Sequence, residues 1–132
     1  MGITVYREQG VQGILRWQLD REWTIDDFQQ AAATNLRLIT EGKRRRRYYT
    51  IIAAPDDSRA PAGMMTQTRR LLTEYSDPRE VFIRVGGSLG QRTMDMAFLH
   101  AFRVFGERFY YVDTIRDAMV LVRELESRAS TE

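Results

Sequence analysis

The chain has 132 residues, of which 43% are hydrophobic and 29% charged, a composition typical of a folded globular protein. This length predicts one domain over residues 1–127, with a frayed tail at 128–132. Its 20 lysines and arginines against 18 acids leave a formal net charge of +2, which argues against a dedicated nucleic-acid-binding domain. The chain has no cysteine and one histidine, His100, so thiolate and two-histidine metal sites are excluded. We therefore predict no metal, no cofactor and no enzymatic activity.

Nothing in the sequence directs the chain to a membrane. Residues 1–10 lack the apolar core of a signal peptide, and the apolar runs fall far short of the roughly 20 residues of a membrane helix. We therefore expect a cytoplasmic protein without a membrane partner.

The first half of the chain predicts a hairpin followed by a helix. Alternating apolar residues predict strands at 3–7 and 14–20, joined as an antiparallel pair across a glycine-rich turn at 10–13. Thr24, with Asp27 three positions later, predicts the start of a helix whose apolar stripe extends to Ile39. Gly42 is expected to end this helix in the left-handed conformation.

The second half predicts alternating strands and helices. Apolar and β-branched runs predict strands at 48–54, 80–85 and 109–112, and helical spacing predicts helices over 64–75 and 91–105 and from Thr114 onward. The full order is β-β-α-β-α-β-α-β-α. It predicts a single α/β domain with a mainly parallel mixed sheet and an antiparallel N-terminal strand at or near an edge.

This order resembles a STAS-type domain, and more narrowly its SpoIIAA-like branch, the fold of anti-sigma factor antagonists. The resemblance spans residues 3–127 and is carried by residues 23–28 (Trp-Thr-Ile-Asp-Asp-Phe) and by the closing strand and helix start at 109–119. It implies a non-catalytic signalling domain that binds a protein partner, either a different protein or a second copy of itself. SEC14-like and flavodoxin-like arrangements remain alternatives for the fold.

Phosphoswitch members of that family carry a serine, followed by a second hydroxyl residue and a glycine, where a strand leads into a helix. The nearest counterpart here is Ser58, within Asp-Asp-Ser-Arg at 56–59. Neither a second hydroxyl residue nor a glycine follows it, and residues 60–63 separate it from the predicted helix. Asp56 and Asp57 would repel a phosphate on this serine. We therefore predict that Ser58 does not act as a phosphorylation switch.

A glycine-rich turn between a predicted strand and a predicted helix is the candidate site for a small ligand. Such a turn points backbone N–H groups at an anion, and here it offers Gly86, Gly87, Ser88, Gly90 and Arg92. The spacing matches neither the dinucleotide fingerprint nor the phosphate-binding loop. Binding of an anionic or phosphorylated ligand is thus one alternative function, and a purely structural tight turn explains the same glycines.

Five consecutive cations precede the third predicted strand: Lys43, Arg44, Arg45, Arg46 and Arg47. Two tyrosines follow them directly, so the segment could hold phosphates and stack bases. Nucleic-acid binding is therefore a second alternative function. A solvated loop after a helix C-terminus, where cations are favourable, explains the same charges.

Overall fold

A computed structural model describes residues 2–9, 13–42, 45–56, 61, 63, 67, 70–71, 74–75, 77–86 and 108–131. Within these residues the chain forms five strands and two helices. The strands are β1 (Ile3–Arg7), β2 (Ile14–Leu19), β3 (Tyr48–Ala53), β4 (Glu80–Val85) and β5 (Phe109–Val112). The helices are α1 (Ile25–Glu41), between β2 and β3, and α2 (Ile115–Thr131), which follows β5.

The five strands form one sheet in the order β1-β2-β3-β4-β5. Strand β1 is antiparallel to β2 and lies at an edge, whereas β2, β3, β4 and β5 are parallel to one another. The predicted α/β class, the mainly parallel mixed sheet and the antiparallel first strand at an edge are confirmed.

Alternation along the strands gives the sheet two apolar faces, each covered by one of the described helices. On the α1 face, Trp17 and Leu19 of β2 pack with Ala31 and Ala32 of the helix. On the α2 face, buried residues of β2, β3 and β4 pack with the helix residues Ala118, Val122 and Leu125. The mostly apolar sequences of β3 and β4 follow from this arrangement, because a strand covered on both faces needs apolar side chains on both.

Helix α1 begins as the sequence predicts. The Thr24 hydroxyl accepts a hydrogen bond from the Asp27 N–H at 3.0 Å, and the Asp27 carboxylate accepts one from the Thr24 N–H at 2.9 Å. This reciprocal pair satisfies N–H groups that have no partner inside the helix. The prediction for Gly42 is wrong: its φ of −78° and ψ of 175° are extended. Its N–H donates to the Ile39 carbonyl at 3.3 Å, so the helix is closed without a left-handed residue.

Helix α2 begins after Thr114, whose hydroxyl accepts a hydrogen bond from the Asp117 N–H at 3.1 Å. It continues to Thr131. The one-domain boundary at residue 127 and the fraying of 128–132 stay predictions. Within the described part of the chain, neither helix is long and apolar enough to cross a membrane.

The predicted helix over 91–105 lies outside the described residues, as does most of the one predicted over 64–75. From the latter segment, Leu71 is buried, and Tyr75 packs against the apolar cluster on the α1 face that contains Trp17 and Leu19.

Candidate functional site

The two segments that the sequence singles out as binding sites lie at opposite ends of the sheet. Residues 43–47 lead into β3, whereas Gly86 follows the last residue of β4. Strands β3 and β4 are parallel, so the basic run precedes one end of the sheet and the glycine-rich turn leaves the other. They cannot belong to one binding site.

The carboxyl ends of β3, β4 and β5 meet at Gly86. This glycine has φ +74°, a conformation that side chains disfavour, and its N–H donates to the Val112 carbonyl at 3.1 Å. A Cβ at this position would lie 3.5 Å from the Ala54 carbonyl oxygen and 3.9 Å from Asp56 Oδ1. The backbone bend after β4 therefore touches the loop after β3 and the end of β5. We call Asp56, Gly86, Asp113 and Thr114 the carboxyl rim.

The described side chains of the carboxyl rim are polar or acidic. Asp56, Asp113 and Thr114 are all exposed. Carboxylates beside the bend at Gly86 oppose the approach of an anion, which weakens the support for a phosphorylated ligand there. Of the five residues proposed for that ligand, the structure places Gly86. The other four lie outside the described residues: Gly87, Ser88, Gly90 and Arg92. Ser58 also lies outside them, so its prediction stays open.

Part of the basic run is held in place by contacts with the rest of the fold. The Arg45 guanidinium forms an ion pair with Glu126 of α2 at 3.1 Å, and it lies against Gly13, where an added Cβ would overlap it. Arg46 is exposed and Arg47 is half-buried, whereas Lys43 and Arg44 lie outside the described residues. Arg45 thus fixes the loop before β3 to the last helix, which supports the structural interpretation of part of this run.

Tyr49, the second of the two tyrosines after the basic run, is fully buried on the α2 face. Burial raises the pKa of its hydroxyl, nearby Glu126 raises the pKa further, and the neighbouring Arg47 guanidinium opposes both. The hydroxyl stays protonated at neutral pH, and the ring is not available for stacking on a base.

A second arginine, Arg79, stabilises the same end of the sheet. Arg79 grips the Asp77 carboxylate with two nitrogens, Nε at 2.9 Å and Nη2 at 3.0 Å, and its guanidinium lies 5.2 Å from the centre of the Tyr48 ring. The hydrogen bond from Arg79 holds the pKa of Asp77 below its usual value. The neighbouring Arg108 donates from Nη1 to the carbonyls of Asp77 at 2.9 Å and Glu80 at 2.8 Å. These arginines fix the turn that enters β4.

The structure also reveals a buried polar cluster that the sequence interpretation missed. Asn35 of α1, Thr50 of β3 and Glu80 of β4 are all at least 98% buried on the α1 face. Burial raises the pKa of Glu80 to about 7, although hydrogen bonds from Thr50, from the Asp77 N–H and from Asn35 lower it. One signal in the sequence marks the three residues separately, because each is a polar residue within or directly beside an apolar pattern.

Among the described residues, no group of three or more histidine, cysteine, aspartate or glutamate side chains is arranged to hold a metal ion. The described residues thus form the exposed, acidic carboxyl rim at one end of the sheet. At the other end, ion pairs and hydrogen bonds hold the arginines in place. A buried polar cluster lies between α1 and the sheet.

No protein-family model matches the chain, and no curated protein or solved structure matches it either. The resemblance to STAS-type domains therefore rests on the order of elements and on the segments at 23–28 and 109–119.

Proposed function

We propose that the chain is a non-catalytic, STAS-type interaction domain that binds a protein partner at the carboxyl rim. The observation that carries the proposal is the convergence of three strand ends at Gly86, with exposed carboxylates of Asp56 and Asp113 following the flanking strands. Open α/β sheets place their binding sites at the carboxyl ends of the strands.

The chemistry of the rim favours a basic surface on the partner. Strands β3 and β5 flank β4, so their ends are two strand spacings apart, about 10 Å. Exposed carboxylates that follow neighbouring strand ends match arginine or lysine side chains on a protein surface better than they match a small anion. Such charges steer association and select the partner.

The finer topology belongs to the same proposal. Parallel neighbours need a crossover connection of about a dozen residues or more, usually a helix. The connections at 54–79 and 86–108 are long enough, and we propose that each carries a helix, as the STAS-type order requires. A cytoplasmic location is also part of the proposal, because a chain without cysteine is suited to a reducing compartment.

Site-specific photo-crosslinking in extracts of the source cells tests the proposal. The photoreactive residue is placed at Arg116, in the first turn of α2 beside the rim, or at Ser127, as a matched position on the same helix. Both residues are exposed, and 11 residues of helix separate them by about 16 Å. We expect one protein species to crosslink from position 116 and not from position 127.

The charge of the rim is tested in the same assay. Replacing Asp56→Asn together with Asp113→Asn should abolish that crosslink, and the purified species should bind this variant at least tenfold more weakly. The control pair Glu41→Gln with Glu124→Gln changes the net charge equally at exposed positions away from the rim. Equal crosslinking from both positions, or equal loss in both double variants, would contradict the proposal. A crosslink to a second copy of the chain would overturn the choice of a different protein as partner.

A further inference from the structure

A chain of buried hydrogen bonds connects α1 to three strands of the sheet. The Trp17 Nε1–H donates to Asn35 Oδ1 at 2.9 Å, which turns the amide nitrogen of Asn35 toward Glu80. Asn35 Nδ2 lies 2.7 Å from Glu80 Oε2 and 3.4 Å from Thr50 Oγ1. The Thr50 hydroxyl donates to the same carboxylate oxygen of Glu80. The acid is therefore the end point of a network that begins on β2 and passes through the helix.

Two influences on the Glu80 carboxyl group oppose each other. Three donors face it, namely Asn35 Nδ2, the Thr50 hydroxyl and, at 3.5 Å from Oε1, the Asp77 N–H, and donors stabilise a negative charge. The side chain is, however, among the largest that are fully buried, and an ionised carboxylate loses most of its hydration there. The balance raises the pKa of Glu80 to about 7, with burial as the largest cause.

The charged groups around Glu80 are engaged elsewhere. The carboxylate of Asp77 is gripped by Arg79, on the turn that enters β4. The Arg108 guanidinium, before β5, donates to the backbone carbonyls of Asp77 and Glu80, and its charge favours the ionised acid without a bond to the carboxylate. From α1 and β3, the groups that face Glu80 are the neutral side chains of Asn35 and Thr50.

Glu80 is held more firmly from the turn that carries it than from helix α1. The turn at 77–80 is held by the two bonds from the Arg79 guanidinium to Asp77 and by the two bonds from Arg108 to backbone carbonyls. By contrast, within the described part of the chain the hydrogen bond that joins α1 to β4 comes from one side chain, Asn35. We therefore expect α1, and not the turn, to give way when Glu80 ionises and gains hydration.

We propose that Glu80, Asn35 and Thr50 form a proton-sensitive latch that holds α1 on the sheet when Glu80 is protonated and loosens the helix when it ionises. This device is independent of the partner proposed for the carboxyl rim, because the latch connects α1 with the opposite, amino-terminal ends of the strands.

The sign of the effect follows from proton linkage. In the unfolded chain Glu80 titrates near its ordinary value, whereas the folded chain retains the proton to higher pH. The stabilisation is therefore complete at low pH and decreases as the pH rises through about 7, with a limiting slope of about tenfold in the unfolding equilibrium constant per pH unit. Denaturant unfolding between pH 5 and 8 measures this slope.

The key variant is Glu80→Gln, which keeps the shape of the protonated acid and cannot ionise. Its control is Glu124→Gln, an exposed carboxylate on α2. Both are made in a His100→Gln background, since a histidine ordinarily titrates in the same range. We expect the background and the control to lose stability as the pH rises and Glu80→Gln to remain level. A slope that survives in Glu80→Gln, or a level background, would overturn the proposal.

Hydrogen exchange identifies which helix loosens when Glu80 ionises. Amide exchange in α1 should accelerate between pH 6 and 8 by more than exchange in α2, which serves as the internal reference for the intrinsic pH dependence. Equal acceleration in both helices would show that α1 is not the element released.

Carboxyl carbon NMR on the unaltered chain keeps the proposal testable if Glu80→Gln does not fold. One glutamate signal should titrate near neutrality, and Thr50→Val should move its midpoint to higher pH because the ionised form loses a donor. A spectrum in which every carboxyl group titrates below about pH 5.5 would overturn the proposal.

Discussion

Arg45 and Glu126 lie 81 positions apart in the chain, and their side chains meet in an ion pair of 3.1 Å. The contact joins the loop before β3 to α2. Arg45 of the basic run therefore holds two distant parts of the chain together. Both side chains are partly exposed, at 27% and 39%, which limits the strength of the pair because water screens the charges.

A double-mutant cycle with Arg45→Ala and Glu126→Ala should give a coupling energy of up to about 1 kcal/mol in the free energy of unfolding. The matched pair is Arg37–Glu41 on α1, which is longer at 3.9 Å and more exposed. It should give no more than about 0.5 kcal/mol. A larger coupling for Arg37–Glu41 than for Arg45–Glu126 would contradict the structural role assigned to Arg45.

Alanine substitutions at two glycines with a similar positive φ distinguish the free-energy cost of backbone strain from the cost of a steric clash. Gly13 has φ +81° and lies against the Arg45 guanidinium, whereas Gly63 has φ +78° with nothing within 4 Å of an added Cβ. Replacing either by alanine should cost about 1–2 kcal/mol through the backbone. Gly13→Ala should cost more, because the arginine must move and its ion pair weakens. Chemical denaturation of both variants measures the difference, and equal costs would show that the arginine moves away freely.

The buried amide of Asn35 should contribute more to stability than any exposed amide on the same helix. Asn35→Ala leaves the buried Trp17 Nε1–H without its acceptor and removes one of the donors to the Glu80 carboxyl group, so we expect a loss of about 2–4 kcal/mol. The control is Gln30→Ala on α1, where an exposed bond to Asp26 is lost. That change should cost less than about 0.5 kcal/mol. Thermal and denaturant unfolding compare the two, and similar losses would remove the energetic role of the buried network.

The lowered pKa of Asp77 predicts a separate pH dependence on the acid side. Its folded pKa lies below the unfolded value, so the ion pair with Arg79 stabilises the fold above the unfolded pKa. This contribution is lost as the pH falls below about 4 and through the folded pKa. Asp77→Asn should flatten the acid limb of the stability curve, whereas Asp56→Asn, at an exposed position without this grip, should leave it steep. An unchanged acid limb in Asp77→Asn would refute the assignment.

The sequence predicts the elements well wherever one local pattern determines them. The capping pair at Thr24 and Asp27 marks the start of α1, and the apolar runs at 80–85 and 109–112 coincide with β4 and β5. The conformation of Gly42 was predicted wrongly because a glycine after a helix permits the left-handed cap without requiring it. Here an extended residue closes the helix through its own N–H.

The buried cluster was not predictable from local pattern in the same way. Asn35 interrupts the apolar stripe of α1, Thr50 lies in an apolar strand and Glu80 precedes one, so each signals an exception separately. The three side chains come together because the parallel register of β3 and β4 aligns Thr50 with Phe82 and Tyr48 with Glu80. That register is set by pairing between strands that are far apart in the sequence. The partner of Arg45 is hidden for the same reason, because no local spacing connects it to the last helix.

The consecutive order of the strands has a consequence for how the chain folds as it is synthesised. Each strand pairs with the one made immediately before it, so the sheet offers a ready edge to every new strand. Adding each parallel strand costs the entropy of closing one crossover connection. This cost does not increase with the number of residues already synthesised. Asn35 and Thr50 can be in place before Glu80 emerges from the ribosome. The arrival of β4 then supplies the acid to a partner amide and hydroxyl that are already positioned on the growing edge.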